Sequence, residues 1–318
     1  MDGFWRLSIA ICTRNRHDDL LRCLKSLYSQ RIEDARIELM LIDDGETSRS
    51  WLDGAREQAP EWVDLIYYRK NPAEAGLIRS RLYAVRAARN EMLLFLDDDV
   101  ELAPDYLSQL RATLAAHPEA VGVGGVDQGF SCSLKGRMLM LLSGRGRLSP
   151  GKLSYSGFAS SMNLWNRQKR TFRTEFLHGC NMCFRRSALS EAEAEEWLTG
   201  YSLGEDLYLS FIAGRSGPML VNPAMRLLHH GSPASRDRRE QVSYSKVVNH
   251  YELLRLRTPM TRLRYGMLLW TVGFLYAETR LRRDAEASRG YRRGLERLRA
   301  VMSGQSDSWA GRSKLPAD

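Results

Sequence analysis

Short apolar-rich runs recur through the first hundred residues, and a stretch with helical spacing follows each one. Leu7–Cys12 (LSIAIC) is the first, and Ile37–Ile42 (IELMLI), Val63–Tyr68 and Met92–Leu96 (MLLFL) repeat the pattern. Brief runs of this kind suit strands buried on both faces of a sheet. Between them, Asp18–Gln30 places Leu20, Leu21, Leu24, Leu27 and Tyr28 at helical intervals. Ser48–Gln58, Gly76–Asn90 and Pro104–Ala116 also read as helices, the last with proline at its start, where proline is tolerated. Helical segments of this length can act as crossovers, so the expected fold class is α/β: a three-layer, mostly parallel, Rossmann-like sheet. Such open sheets bind ligands at the carboxyl ends of their strands. Three polar clusters, Thr13–Arg16, Asp43-Asp44 and Asp97–Asp99, directly follow strands and should converge on one edge.

Three consecutive carboxylates repel one another unless a cation sits among them. Their hard oxygens favour Mg²⁺ or Mn²⁺, and Mg²⁺ usually takes one or two carboxylates together with substrate phosphates. Acidic residues that simply favour the start of the next helix are the competing reading. The position after an apolar strand, with a second Asp pair after another strand, points to the cation.

These pieces together resemble a known family. LSIAICTRNR, MLIDDGETS and LLFLDDDVELAPDYL are similar to the nucleotide-sugar-binding half of the inverting glycosyltransferases called family 2. GCNMCFRR from Gly179, then Gly204-Glu205-Asp206-Leu207, Asn222-Pro223 and His229-His230-Gly231 continue the likeness, which covers about residues 7–231. The resemblance implies a GT-A fold over residues 1–235, with a nucleotide-sugar-binding half (1–127) and an acceptor half (128–235). A basic helical extension (236–318) follows. It implies that Asp44 reads the nucleobase, that Thr13, Arg14 and Asn15 flank base and ribose, and that Asp97–Asp99 is the Asp-x-Asp signature. Asp98 would then lie near the ribose, Asp99 would hold the metal on the diphosphate, and Arg81 matches an arginine found after the glycine at Gly76. Leu82 departs from the pattern, standing where the family often carries Asn.

An inverting transfer needs a base for the acceptor hydroxyl and charge neutralisation on the departing nucleoside diphosphate. By the resemblance Asp206 is that base, and Glu205 orients it or touches the acceptor. The same two residues also suit the first turn of a helix, with Leu207, Leu209, Phe211 and Ile212 following. His229 resembles a third metal ligand of some relatives, with His230 as its competitor, and His178 is a candidate for the acceptor pocket. Cys180 and Cys183 have the spacing of half a zinc site without the other half, so buried thiols are the better reading. The glycines of 122–125 and 144–146 lack the context of phosphate loops. In 128–176, RMLMLL (137–142), Tyr155, Phe158 and Trp165 read either as core and loops or as an acceptor-side wall.

Charge is unevenly spread. The whole chain of 318 residues is +9, yet residues 1–225 hold 28 basic and 29 acidic side chains, and residues 226–318 hold 19 and 9. A strongly basic tail suits an anionic partner. Val247, Val248, Tyr251 and Leu254 form one helical stripe, and Tyr291, Leu295, Leu298, Val301 and Met302 form another. YGMLLWTVGFLYAE lies between arginine clusters. Three roles are open for these helices: a cap packed on the core, an oligomer contact, or peripheral contact with a membrane. In the last role anionic lipid would attract each well-placed Lys or Arg by about 1 kcal/mol. Ser303–Asp318 is polar and expected to fray.

The start of the chain shows no signal-peptide pattern, and Met267–Ala277 is too short to span a bilayer. Five scattered cysteines suggest a reducing compartment. The expected location is the cytoplasm, with the inner face of the cell membrane as a peripheral site. The expected partners are a nucleotide-sugar donor and a glycan or lipid-linked acceptor, in cell-surface polysaccharide synthesis. Two other functions compete. A nucleotidyltransferase would want a glycine-rich basic loop where CTRNRH has no glycine. A nucleic-acid-binding protein would want a reading module or an aromatic-interleaved basic surface, and the sequence offers neither, so no nucleic acid is expected.

Overall fold

The structure is a computed structural model that describes residues 4–198, 202–231, 239–257 and 260–302. Strands β1 (Trp5–Thr13), β2 (Ala35–Asp43), β3 (Val63–Arg69) and β4 (Met92–Asp97) are parallel, in the order β3-β2-β1-β4. Helices α1 (His17–Tyr28), α2 (Arg49–Glu57) and α3 (Leu77–Ala87) make the crossovers, as the alternation requires. Side chains of β1 divide by parity. Leu7, Ile9 and Ile11 pack with Leu20, Leu24 and Leu27 of α1, while Ala10 packs with Ile78, Leu82 and Val85 of α3.

Beyond β4 the sheet becomes mixed. Antiparallel β8 (Asn181–Arg185) pairs with β4 and with β6 (Gly122–Asp127), and β6 is followed by parallel β9 (Met219–His229). Two three-residue strands, β5 (Val100–Leu102) and β7 (Phe172–Thr174), pair antiparallel with β9. Six of these strands run one way, so the mostly parallel expectation holds. The GT-A-like sheet therefore changes character beside β4, the strand that leads into Asp97–Asp99. α4 (Tyr106–Ala116) starts later than the expected Pro104, because Ala103–Tyr106 forms a turn in which the Tyr106 amide donates to the Ala103 carbonyl at 3.0 Å.

The segment around α5 (Leu134–Leu142) settles one sequence alternative. Trp165 is buried against Phe176, ring centres 5.2 Å apart, and its indole donates to the Pro150 carbonyl at 2.8 Å. Phe158 is buried and stacked on His250 at 3.8 Å. Both are core rather than an acceptor-side wall, whereas Tyr155 is exposed beneath Arg147.

The C-terminal helices α7 (Arg239–Arg257), α8 (Arg262–Leu281) and α9 (Ala285–Met302) share their own apolar cluster, in which Val247, Tyr251, Leu254, Tyr291 and Leu298 are buried. The stripes on α7 and α9 thus face each other. α7 also seals onto the sheet domain, where Leu253 joins the main core and Asn249 donates to the Leu203 carbonyl at 2.8 Å. No helix among the described residues is long and apolar enough to cross a membrane. The tail 303–318 lies outside the described residues.

Candidate active site

Parallel register brings the strand-end clusters together, with Thr13 opposite Asp43 and Cys12 opposite Asp97. Thr13 Oγ1 donates to Asp98 Oδ2 at 2.8 Å, and the Arg16 guanidinium donates to Asp98 Oδ1 at 3.0 Å and lies 3.9 Å from Asp99. Burial pushes the Asp98 carboxyl up to about 6, against the pull of Arg16 and Thr13. The short strand β5 then pairs with the end of β9 beside the site. Val100 pairs with His229, which sets His229 Nε2 3.0 Å from Asp99 Oδ1 and 3.9 Å from Asp97 Oδ2. Burial disfavours the imidazolium of His229, but the Asp99 hydrogen bond and the surrounding carboxylates outweigh it and raise the pKa. One donor atom each from Asp97, Asp99 and His229 falls within a 4.8 Å span. Two carboxylates and an imidazole at this spacing fit a divalent cation of the Mn²⁺ or Mg²⁺ type. His230 points elsewhere and pairs with Glu101 at 3.1 Å.

Arg81 joins this cluster to the second half of the chain. It is 2% exposed, and its guanidinium donates to Asp97 at 3.0 Å, to Glu205 at 2.8 Å and to the Gly179 carbonyl at 2.8 Å. Glu205 and Asp206 open α6 (Glu205–Ala213), after Gly204 in a left-handed conformation (φ 91°). The pair forms the first turn of the helix, and Glu205 is at the same time linked through Arg81 to Asp97. Burial pushes Glu205 up to about 8 although Arg81 pulls it down. Asp206 accepts from the Leu207 amide at 2.8 Å. Gly179 lies against both residues: a Cβ there would sit 3.4 Å from Asp206 Cβ and from Glu205 Oε1.

The second loop is held by its own contacts. Asp44 accepts from the Gly76 amide at 2.8 Å, from Ser80 Oγ at 3.0 Å and from Lys70 Nζ at 3.1 Å. Gly76 has φ 134°, a conformation that L side chains rarely adopt. Asn15 has φ 55°, tolerable for Asn, and its Oδ1 accepts from the Glu46 amide at 2.9 Å, lacing the first loop to the second. Arg14, beside it, is exposed.

Two participants escaped the sequence reading. Arg16 was within the first polar cluster but not singled out, and Lys70 follows β3 as Asp44 follows β2; a strand-end search of the third strand would have found it. His178, the pocket candidate, is half-buried at the site, its ring 6.0 Å from His229 and 5.2 Å from Phe130, with Nδ1 2.9 Å from the Cys180 thiol. All five cysteines are free, and Cys180 and Cys183 are buried thiols.

The profile of the glycosyl transferase family 2 matches residues 8–192. Polypeptide N-acetylgalactosaminyltransferase 4 of Caenorhabditis elegans is 33% identical over 108 residues, 34% of this chain and 18% of that protein. The glucosyl-dolichyl phosphate glucuronosyltransferase of Haloferax volcanii is 25% identical over 122 residues, 38% of this chain and 37% of its own length. The chain thus spans well under half the length of these relatives. In three dimensions it is similar to S. aureus TarS 1-349 in complex with UDP-GlcNAc, with a TM-score of 0.54 and 13% identity over 86% of this chain and 73% of that one, a likeness of fold. With more than half of its residues matched by the profile, the chain belongs to glycosyl transferase family 2.

Proposed function

We propose that the chain is a metal-dependent, inverting glycosyltransferase that moves a sugar from a nucleotide-sugar to a hydroxyl of a glycan or lipid-linked acceptor, in cell-surface polysaccharide synthesis. The observation that carries this reading is the junction of two carboxylate groups through Arg81: Asp97 of the Asp-Asp-His cluster on one side, Glu205 of the α6 pair on the other. A divalent cation held by Asp97, Asp99 and His229 would supply charge neutralisation on the diphosphate. Family membership supports the donor class, and UDP-GlcNAc is bound by TarS, whose fold this chain shares.

In this scheme Asp44, fixed by Lys70, Ser80 and Gly76, reads the base. Thr13, Arg14 and Asn15 flank base and ribose, and Asp98, anchored by Thr13 and Arg16, borders the sugar-phosphate. Asp206 accepts the proton of the acceptor hydroxyl as it attacks the anomeric carbon opposite the leaving group. Glu205 and Arg81 position it across Gly179. Residues 1–127 would serve the donor, 128–235 the acceptor, and 236–318 extend the domain.

The test is release of nucleoside diphosphate and transfer, measured with Mn²⁺ and a panel of UDP-, GDP- and dTDP-sugars with glycan and lipid-linked acceptors. Asp206→Asn is expected to lower kcat by about 10²–10⁴-fold with donor affinity unchanged. Lost donor binding would remove Asp206 from the base role, and an inactive panel would remove the reading itself.

A further inference from the structure

α5 carries its apolar side chains on the outside. Of its nine residues only Met140 is buried, whereas Leu134, Met138, Leu141 and Leu142 follow i, i+4, i+7, i+8 spacing on one solvent-facing side. Leu134 is 66% exposed, Met138 58% and Leu142 63%. α8 extends this ridge. The indole of Trp270, itself 58% exposed, donates to the Leu142 carbonyl at 2.7 Å, and exposed Leu263 lies two turns away on the same face of α8. Scattered exposed leucines are ordinary, but a ridge of six large apolar side chains marks a contact surface.

Charge identifies what that surface meets. From Gln128 to Thr174 the sequence has nine Lys or Arg and no Asp or Glu, and Thr261–Ala277 adds Arg262 and Arg264, again with no acid. Glu278 and Glu175, just outside these bounds, pair with Arg145 and Lys152, which leaves the other seven of the nine outside those two pairs. Lys135 and Arg262 are exposed beside the ridge, and Arg137 and Arg147 are half-buried. The complement of this face is apolar in its interior and anionic at its surface. A second copy would set one acid-free cationic segment against another. A bilayer with acidic headgroups meets both requirements: leucines and methionine enter the acyl boundary, basic side chains meet headgroups, and tryptophan sits between. We propose that the outer face of α5, with Trp270 and Leu263 of α8, docks the protein on an anionic lipid surface.

The position of the ridge gives docking a consequence. Phe130 contacts His178 at the site, and Leu134 begins α5 four residues later, so at most about 14 Å of chain separates them. Docking would hold the acceptor side beside the bilayer, which favours a membrane-borne acceptor. That consequence rests on the glycosyltransferase reading; the docking itself does not.

The experiment is flotation of the full chain with vesicles of phosphatidylcholine alone or mixed with phosphatidylglycerol, which needs no catalytic activity. Binding is expected on the mixed vesicles, weak on the neutral ones, and weaker as salt is raised. Leu134→Glu/Met138→Glu/Leu142→Glu is expected to lower the bound fraction by about tenfold or more with an unchanged melting temperature. Lys135→Gln/Arg262→Gln, which leaves the apolar ridge intact, is expected to weaken binding to the mixed vesicles only. Absence of flotation, equal flotation on both vesicles, or full binding by the Glu variant would overturn the proposal. So would light scattering that shows a wild-type dimer converted to monomer by the Glu variant, which would assign the ridge to self-association.

Discussion

Arg81→Met tests whether the site is held from within by a single buried cation. Arg81 is 2% exposed, and its two short ionic contacts, 2.8 Å to Glu205 and 3.0 Å to Asp97, keep two carboxylates at one place. Methionine keeps an apolar stem but leaves both carboxylates without their shared donor. Removing one partner of a buried ion pair typically costs about 3–5 kcal/mol. Counting contacts gives a similar figure, because each hydrogen bond to a charged group contributes about 1.5–3 kcal/mol. With its carboxyl pushed up to about 8 by burial, Glu205 already holds a proton at neutral pH, so Asp97 is the carboxylate whose charge Arg81→Met strands. The expected loss is therefore near the lower end, about 3 kcal/mol in urea unfolding at neutral pH. Asp97→Asn in the same chain removes that stranded charge, so the double variant should recover about 1–2 kcal/mol relative to additivity. A single-variant loss below about 1 kcal/mol, or strictly additive variants, would refute the reasoning.

The remaining expectations use other parts of the same site. Glu205 has its folded-state pKa raised from 4.5 to about 8, so the folded protein holds a proton that the unfolded chain releases. Its contribution to stability is present below pH 4.5 and is lost as pH rises towards 8; Glu205→Gln should flatten that slope in a series of unfolding curves, and an unchanged slope would assign it to other groups. Asp99→Asn and His229→Ala should each weaken Mn²⁺ binding at least about tenfold by titration calorimetry, and unaltered affinity in both would move the cation elsewhere. Gly45→Ala would set a Cβ 2.3 Å from Asn15 Oδ1, so the Asn15 amide must swing aside and give up its bond from the Glu46 amide. A loss of about 1–3 kcal/mol is expected, partly recovered by adding Asn15→Ala, and calorimetry showing no recovery would place the strain in another contact.

The parallel half was legible because each strand is buried on both faces and leaves a continuous apolar run. The strand-end rule then placed Thr13, Asp44 and Asp97–Asp99 along one edge, where the structure also has them. The antiparallel half was less legible. His229 reaches Asp99 only because β9 pairs with β5, and a three-residue strand has too few side chains to show a period. Arg81 could be matched to a motif, but its partners lie 16, 98 and 124 residues away, and no local pattern reports that distance. The run RMLMLL misled in another way: apolar content gives the tendency of a segment to leave water, not whether protein or something else covers it.

The same physics changes the meaning of the charge distribution. Taken as one block, residues 1–225 are nearly neutral, which assigns the basic excess to the tail. Divided where β6 ends and β7 ends, the block separates into 1–127 with 16 basic and 22 acidic side chains, 128–174 with nine basic and none acidic, and 175–225 with three and seven. Acids are concentrated in the segments that build the site, where a cation can compensate them, and are missing from the segment that carries the exposed ridge. Screening confines each exposed charge to about 10 Å at ordinary ionic strength, so a net figure for 225 residues describes no surface that a partner meets. The local figures do. A carboxylate-rich cleft and a basic apolar ridge, linked by the few residues from Asp127 to Leu134, set the candidate site and the proposed docking face opposite in charge. An anionic bilayer would therefore engage the ridge while being repelled by the carboxylates, which orients the molecule as well as binding it.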